Sequence, residues 1–134
     1  MQKHVLAVDD ENNIRRLIEV NLLRAGYRVT SAADGEEALR KVREDRPDLV
    51  VSDVMMPKID GFELLRRLKA DPETSDIPVL LLTAKAQNQD IFAGWAGGVH
   101  GYLTKPFNPG ELLTWIKKTL ESLAEAQDTG RIVI

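Results

Sequence analysis

At 134 residues, with 43% hydrophobic and 29% charged residues, the chain has the size and balance of one soluble globular domain, with no space for a second catalytic or DNA-binding domain beside it. The absence of cysteine removes disulfide scaffolds and thiolate metal sites, and the two histidines, His4 and His100, are too few for a usual zinc cage. A net charge of -3 with scattered Lys and Arg argues against direct nucleic-acid binding, and the short apolar run after His4 is no signal-peptide core or membrane span, so a cytoplasmic location without membrane contact is expected.

Val5, Leu6, Ala7 and Val8 form the first strand-like run, and Asp9 and Asp10 follow it. Ile14, Leu17, Ile18, Leu22 and Ala25 then recur at the three- and four-residue spacing of an amphipathic helix, with Gly26 as its C-cap. Residues 27–32 read as a second strand, less apolar than the others and so expected near an edge. Asp34 opens the next helix: Glu37 stands at the capping-box spacing, Ala38, Leu39 and Val42 supply a buried stripe, and Pro47 ends it. The stretch from Asp34 to Glu37 is a turn and helix start, because the pattern of a calcium loop is absent.

A buried strand is predicted over 48–52, and a loop over 53–60 leads through Gly61 into a helix carrying Phe62, Leu64, Leu65 and Leu68. The fourth strand covers 79–82, and a helix over about 88–95, rich in Ala and Gly, is expected to be the least stable. Residues 99–103 form a fifth strand. Asn108-Pro109 caps a final helix with Leu112, Leu113, Ile116, Leu120 and Leu123 inward. Trp115 lies beside that stripe, and an exposed indole there would mark a partner surface. His4 and His100 read as strand-end residues, and the glycines at 94, 97, 98 and 101 form no nucleotide loop, since no Gly-Lys-Ser/Thr follows them. The ordered domain is expected over 1–123, with 124–134 a tail, a linker stub or a docked extra strand.

Strands alternating with helices predict an α/β fold with a parallel sheet covered on both faces. In such sheets the carboxyl ends of the strands share one edge, where ligands bind. Asp9, Asp10, Asp53, Thr83 and Lys105 all end or closely follow a run. Three carboxylates, a hydroxyl and an ammonium would converge there, a costly arrangement unless a cation joins it. The cluster predicts a divalent metal and an anion that needs one.

The segments Val8-Asp9-Asp10, Asp53-Val54-Met55-Met56-Pro57 with Asp60-Gly61, Thr83-Ala84-Lys85, and Tyr102-Leu103-Thr104-Lys105-Pro106-Phe107 resemble the receiver domain of two-component response regulators, from about His4 to Leu123. The resemblance implies a doubly wound, flavodoxin-like (βα)5 fold with strand order 2-1-3-4-5. It implies that Asp10 and Asp53 ligate Mg²⁺ directly, Met55 through its backbone carbonyl and Asp9 mainly through water. Asp53 is then the phosphoryl acceptor, with Lys105, Thr83 and the Ala84 backbone N–H neutralising the phosphoryl oxygens. The implied switch draws Thr83 towards the phosphoryl group and turns Tyr102 inward.

The resemblance further implies a histidine kinase or phosphotransfer protein as donor and a downstream effector protein as reader. The readout face, also a possible homodimer contact, would be the predicted fourth helix, fifth strand and fifth helix. Met55 and Lys85 occupy positions that tune phosphoryl lifetime in the family. One stretch departs from the family pattern: Gly97-Gly98-Val99-His100-Gly101-Tyr102 carries extra glycine before the switch aromatic. The expected function is that of a stand-alone phosphoacceptor switch, not an enzyme beyond assisting its own phosphorylation and dephosphorylation. The alternatives are a phosphorylation-independent interaction module and a Mg²⁺-dependent phosphatase, for which Met55 stands where a second Asp would be needed.

Overall fold

The computed structural model describes residues 2–84 and 99–133. Its elements run β1 (His4–Val8), α1 (Asn12–Arg24), β2 (Arg28–Ala32), α2 (Gly35–Glu44), β3 (Leu49–Asp53), α3 (Gly61–Ala70), β4 (Val79–Ala84), β5 (Gly101–Lys105) and α4 (Pro109–Val133). The predicted helix over 88–95, with Lys85, Trp95 and the glycines at 94, 97 and 98, lies outside the described residues. The five strands form one parallel sheet in the order β2-β1-β3-β4-β5, as the alternation and the resemblance implied.

The sheet is buried on both faces because its central strands are apolar at successive positions. Leu6, Val8, Val50 and Leu81 pack on one face against Ala38 and Val42 of α2 and Leu64, Leu65 and Leu68 of α3. Val5, Ala7, Val51, Leu82 and Leu103 pack on the other against Ile18 and Leu22 of α1 and Leu112 and Ile116 of α4. The weakly apolar second strand does lie at an edge. Leu17, read as inward from its spacing, is 41% exposed, since α1 needs only a narrow stripe against the sheet.

Local chemistry sets the helix ends. Gly26 adopts φ 95°, its N–H donates to Leu23 O and the Tyr27 N–H to Leu22 O, both at 3.1 Å, which closes α1 with a Schellman turn and delays β2 to Arg28. Asp34 accepts from the Glu37 N–H at 2.9 Å, while the Glu37 carboxylate accepts from the Ala33 N–H at 3.2 Å, one residue before the N-cap N–H of the reciprocal capping-box bond. Asp60 caps α3 through the Glu63 N–H at 2.8 Å, and Asn108 caps α4 through the Gly110 N–H at 2.7 Å. The backbone of α4 continues past Leu123 to Val133, because Ala124, Glu125, Ala126 and Gln127 are strong helix formers with no breaker before Gly130.

The last three strands are displaced from their predicted limits at the site edge. The third covers Leu49–Asp53, because Asp48 is occupied at its head, its carboxylate accepting the His4 N–H at 2.8 Å. β4 runs two residues beyond Leu82, and β5 starts two residues later than Val99 and ends on Lys105. As a result Asp53, Thr83 and Lys105 are strand residues and not loop residues.

Candidate functional site

Strand register brings the predicted site residues to one edge. Val8 pairs with Ser52, so Asp9 follows level with Asp53; Asp53 pairs with Leu82, Thr83 with Thr104, and Ala84 with Lys105. Side chains alternate across a strand, so Asp9, Asp53 and Lys105 extend the rows of Ala7, Val51 and Leu103 on the α1/α4 face. Thr83 extends the row of Val79 and Leu81, which is also the row of Tyr102 through the Leu81–Tyr102 pairing. The predicted residues therefore divide into an ionic group on one face and a Thr83–Tyr102 group on the other, a division that residue type alone did not reveal.

The ionic group is closely coupled. Lys105 Nζ lies 3.0 Å from Asp9 Oδ2 and 3.3 Å from Asp53 Oδ1. Carboxylate oxygens of Asp9, Asp10 and Asp53 all come within 4.8 Å of one another. Asp9 is fully buried and Asp53 is 6% exposed, whereas Asp10 is exposed and has no ion pair among the described residues. Burial chiefly, helped by the charges of Asp9 and Asp10, pushes the Asp53 carboxyl up to about 6 against the opposing pull of Lys105. Burial alone would lower the Lys105 ammonium, but the Asp9 hydrogen bond and the charges of Asp53 and Asp9 outweigh it and hold it above its ordinary value.

Three carboxylates against one ammonium leave two negative charges at a partly buried edge, which a divalent cation would neutralise. The donors are all hard oxygens, which suits Mg²⁺ and not a soft metal. Met55, two residues after Asp53, is 63% exposed. Thr83 is 1% exposed, and Tyr102 is partly buried against the core of the α2/α3 face.

Several supporting contacts carried no clear signal in the sequence. Asp9 Oδ1 accepts the Glu11 N–H at 2.9 Å and its backbone carbonyl accepts from Arg15 at 2.8 Å, fixing the turn from β1 into α1. The N–H of Gly61 donates to Val54 O at 2.8 Å, and a Cβ there would fall 2.5 Å from Asp53 O and 2.8 Å from Val54 Cα. Only glycine lets α3 start so close to the end of β3. Lys58, at φ 68°, places Nζ 3.8 Å from Asp34 and 3.6 Å from Glu36, tying the loop after Asp53 to the start of α2. Its αL backbone and cross-loop partners could not be read from its place after Pro57.

The family model for the response regulator receiver domain matches residues 5–117. The chain is 45% identical over 120 residues to the alkaline phosphatase synthesis transcriptional regulatory protein PhoP of Bacillus subtilis, covering 90% of this chain and 49% of that protein. It thus spans about half the length of the curated relatives it matches. Among solved structures it is similar to the chemotaxis response regulator CheY4 of Vibrio cholerae, at 40% identity and TM-score 0.83 over 88% of this chain and 98% of that one. It is also similar to the receiver domain of the sensor histidine kinase PA1611 of Pseudomonas aeruginosa, solved with a magnesium ion in its active site cleft, at 31% identity and TM-score 0.82 over 90% and 99%.

Proposed function

The chain belongs to the response regulator receiver domain family, and on that premise we propose that it is a signalling switch that accepts a phosphoryl group on Asp53. The observation that carries the reading is the nearly buried Asp53 at the end of β3, within 4.8 Å of two further carboxylates and 3.3 Å from the Lys105 ammonium. A histidine kinase or phosphotransfer protein supplies the donor, a phosphoimidazole. An Asp53 carboxylate oxygen attacks phosphorus, a P–O bond forms as the donor's P–N bond breaks, and the leaving imidazole nitrogen takes a proton. The product is an acyl phosphate.

Asp9, Asp10 and Asp53, with the Met55 carbonyl, would hold Mg²⁺, which would supply charge neutralisation for the phosphoryl oxygens. Lys105 already bridges Asp9 and Asp53, so it exchanges a carboxylate partner for a phosphoryl oxygen with little movement. Thr83 Oγ1 and the Ala84 N–H, at the end of the neighbouring strand, donate to the remaining oxygens. Asp53 must be ionised to attack, and neutralising the other carboxylates brings its pKa back down. The switch is the displacement of Thr83 and Tyr102, which share a sheet face, and the message leaves through β5, α4 and the segment between β4 and β5. Downstream effectors, and a second copy of the chain, are the readers.

Met55 contributes no acid at the position a phosphatase of this kind would use, so nothing favours multiple turnover. Incubation with acetyl phosphate followed by intact-mass measurement tests the reading. A Mg²⁺-dependent phosphate adduct that is lost in Asp53→Ala is expected. No adduct under any condition would leave a phosphorylation-independent binding module in its place, and sustained hydrolysis of a phosphate ester would make the protein a phosphatase.

A further inference from the structure

Two features of this chain have no part in the chemistry of Asp53: glycine immediately before Tyr102, and a tryptophan on α4 that is 43% exposed. They meet. A Cβ on Gly101 would lie 3.4 Å from both Cε3 and Cζ3 of Trp115 and 3.0 Å from Leu80 Cδ2. A methyl would already stand in van der Waals contact with the indole and press on Leu80, which leaves little space between strand and ring for a larger side chain. Gly101 opens β5, which forms one edge of the sheet. Glycine in a strand sacrifices side-chain cover and backbone order, and an aromatic ring laid over it restores the cover.

The pair lies on the face opposite Tyr102. Gly101 falls in the row of Leu103, on the side of α4, whereas Tyr102 points to the core of α2 and α3. The two residues share a peptide bond, so Tyr102 cannot change its backbone without moving the surface on which the indole rests. We propose that Trp115 is a positioning residue for the Tyr102 switch: its ring seats in the notch above Gly101, holds α4 on the first residue of β5, and passes movement of that strand to the exposed side of α4. The inference rests on the reading of Tyr102 as the switch residue. The extra glycine before Tyr102 is, on this account, the complement of Trp115 and not a loosened strand.

The experiment has two arms. Valine favours strands, so Gly101→Val should be neutral or stabilising if nothing lies above residue 101. With the indole seated there it should lower Tm by about 3 °C or more. In a Trp115→Ala background the same change should cost clearly less, only the adjustment of the Leu80 side chain remaining. Shifts that simply add in the double variant overturn the pairing. In the second arm, Trp95→Phe leaves Trp115 as the sole indole, and its emission and acrylamide quenching are followed during treatment with acetyl phosphate and Mg²⁺, with the adduct measured by mass in the same samples. A shift that appears with the adduct and reverses on its hydrolysis is expected, and a purely structural Trp115 would give none. Adduct without a shift overturns the inference and leaves Asp53 as acceptor, whereas absence of adduct overturns the Asp53 reading and the switch together.

Discussion

Asp53 is held in an unfavourable state. Its carboxyl is raised from 3.8 to about 6, so folding favours the protonated form, and the stability this group supplies is present below pH 3.8 and lost as pH rises through about 6. At neutral pH without metal the charged carboxylate therefore destabilises the fold. Asp53→Asn should raise the metal-free Tm at pH 7.5 by about 3 °C, corresponding to about 1 kcal/mol once solvent screening at the mouth of the site is allowed for. The gain should shrink towards pH 4, which thermal melts across that range would check. The same titration governs the metal: below about pH 6 the proton on Asp53 competes with Mg²⁺, so affinity measured by calorimetry should fall by up to about tenfold per pH unit. Lys105 is the other half of the balance. Lys105→Met leaves the fully buried Asp9 carboxylate without its cation, at a cost of about 2–3 kcal/mol, and Mg²⁺ should restore more of the lost Tm than it adds to the wild type.

Among the elements, the start of α3 controls the site most tightly. Gly61→Ala would drive a methyl into the Asp53 carbonyl and the Val54 backbone, neither of which can rotate away. The expected result is a loss of about 2 kcal/mol or more by urea denaturation, together with weaker Mg²⁺ binding, because relief of the clash must displace the end of β3. Element type and order were legible throughout the described chain, since apolar runs and helical spacing change over cleanly and the caps at Asp34, Asp60 and Asn108 act as their residue types suggest. Strand limits were less legible. β3 and β5 end on the polar site residues Asp53 and Lys105, and β4 runs through Thr83 to Ala84, so a hydrophobic pattern assigns these polar residues to loops although the ladder continues through them. Register between parallel strands, and hence the face each residue takes, depends on pairings between residues far apart in sequence.

At the scale of the whole molecule, three acids and one lysine at the carboxyl ends of β1, β3 and β5 make the site a property of the complete sheet. Metal binding should therefore stabilise the fold globally, by about 1.4 kcal/mol at free Mg²⁺ ten times its Kd, and Asp10→Asn should reduce that increment without abolishing folding, since Asp10 is exposed and has no ion pair among the described residues. The convergence of Asp9, Asp10, Asp53 and Lys105 at one edge was readable from sequence, because strand-end Asp and Lys in this order form a pattern across the chain. Its inner support was not: Gly61, Gly101 and Trp115 stood out as residues, but the backbone approach at Gly61, the seat of Trp115 over Gly101 and the Arg15 contact to the Asp9 carbonyl depend on tertiary packing. The most direct test of the central claim is to locate the phosphoryl group. After treatment with acetyl phosphate and Mg²⁺, borohydride reduction and peptide mapping should find homoserine at position 53 and at no other acidic residue. Reduction at Asp9 or Asp10, or an adduct resistant to hydroxylamine, would contradict the assignment of Asp53 as the acceptor.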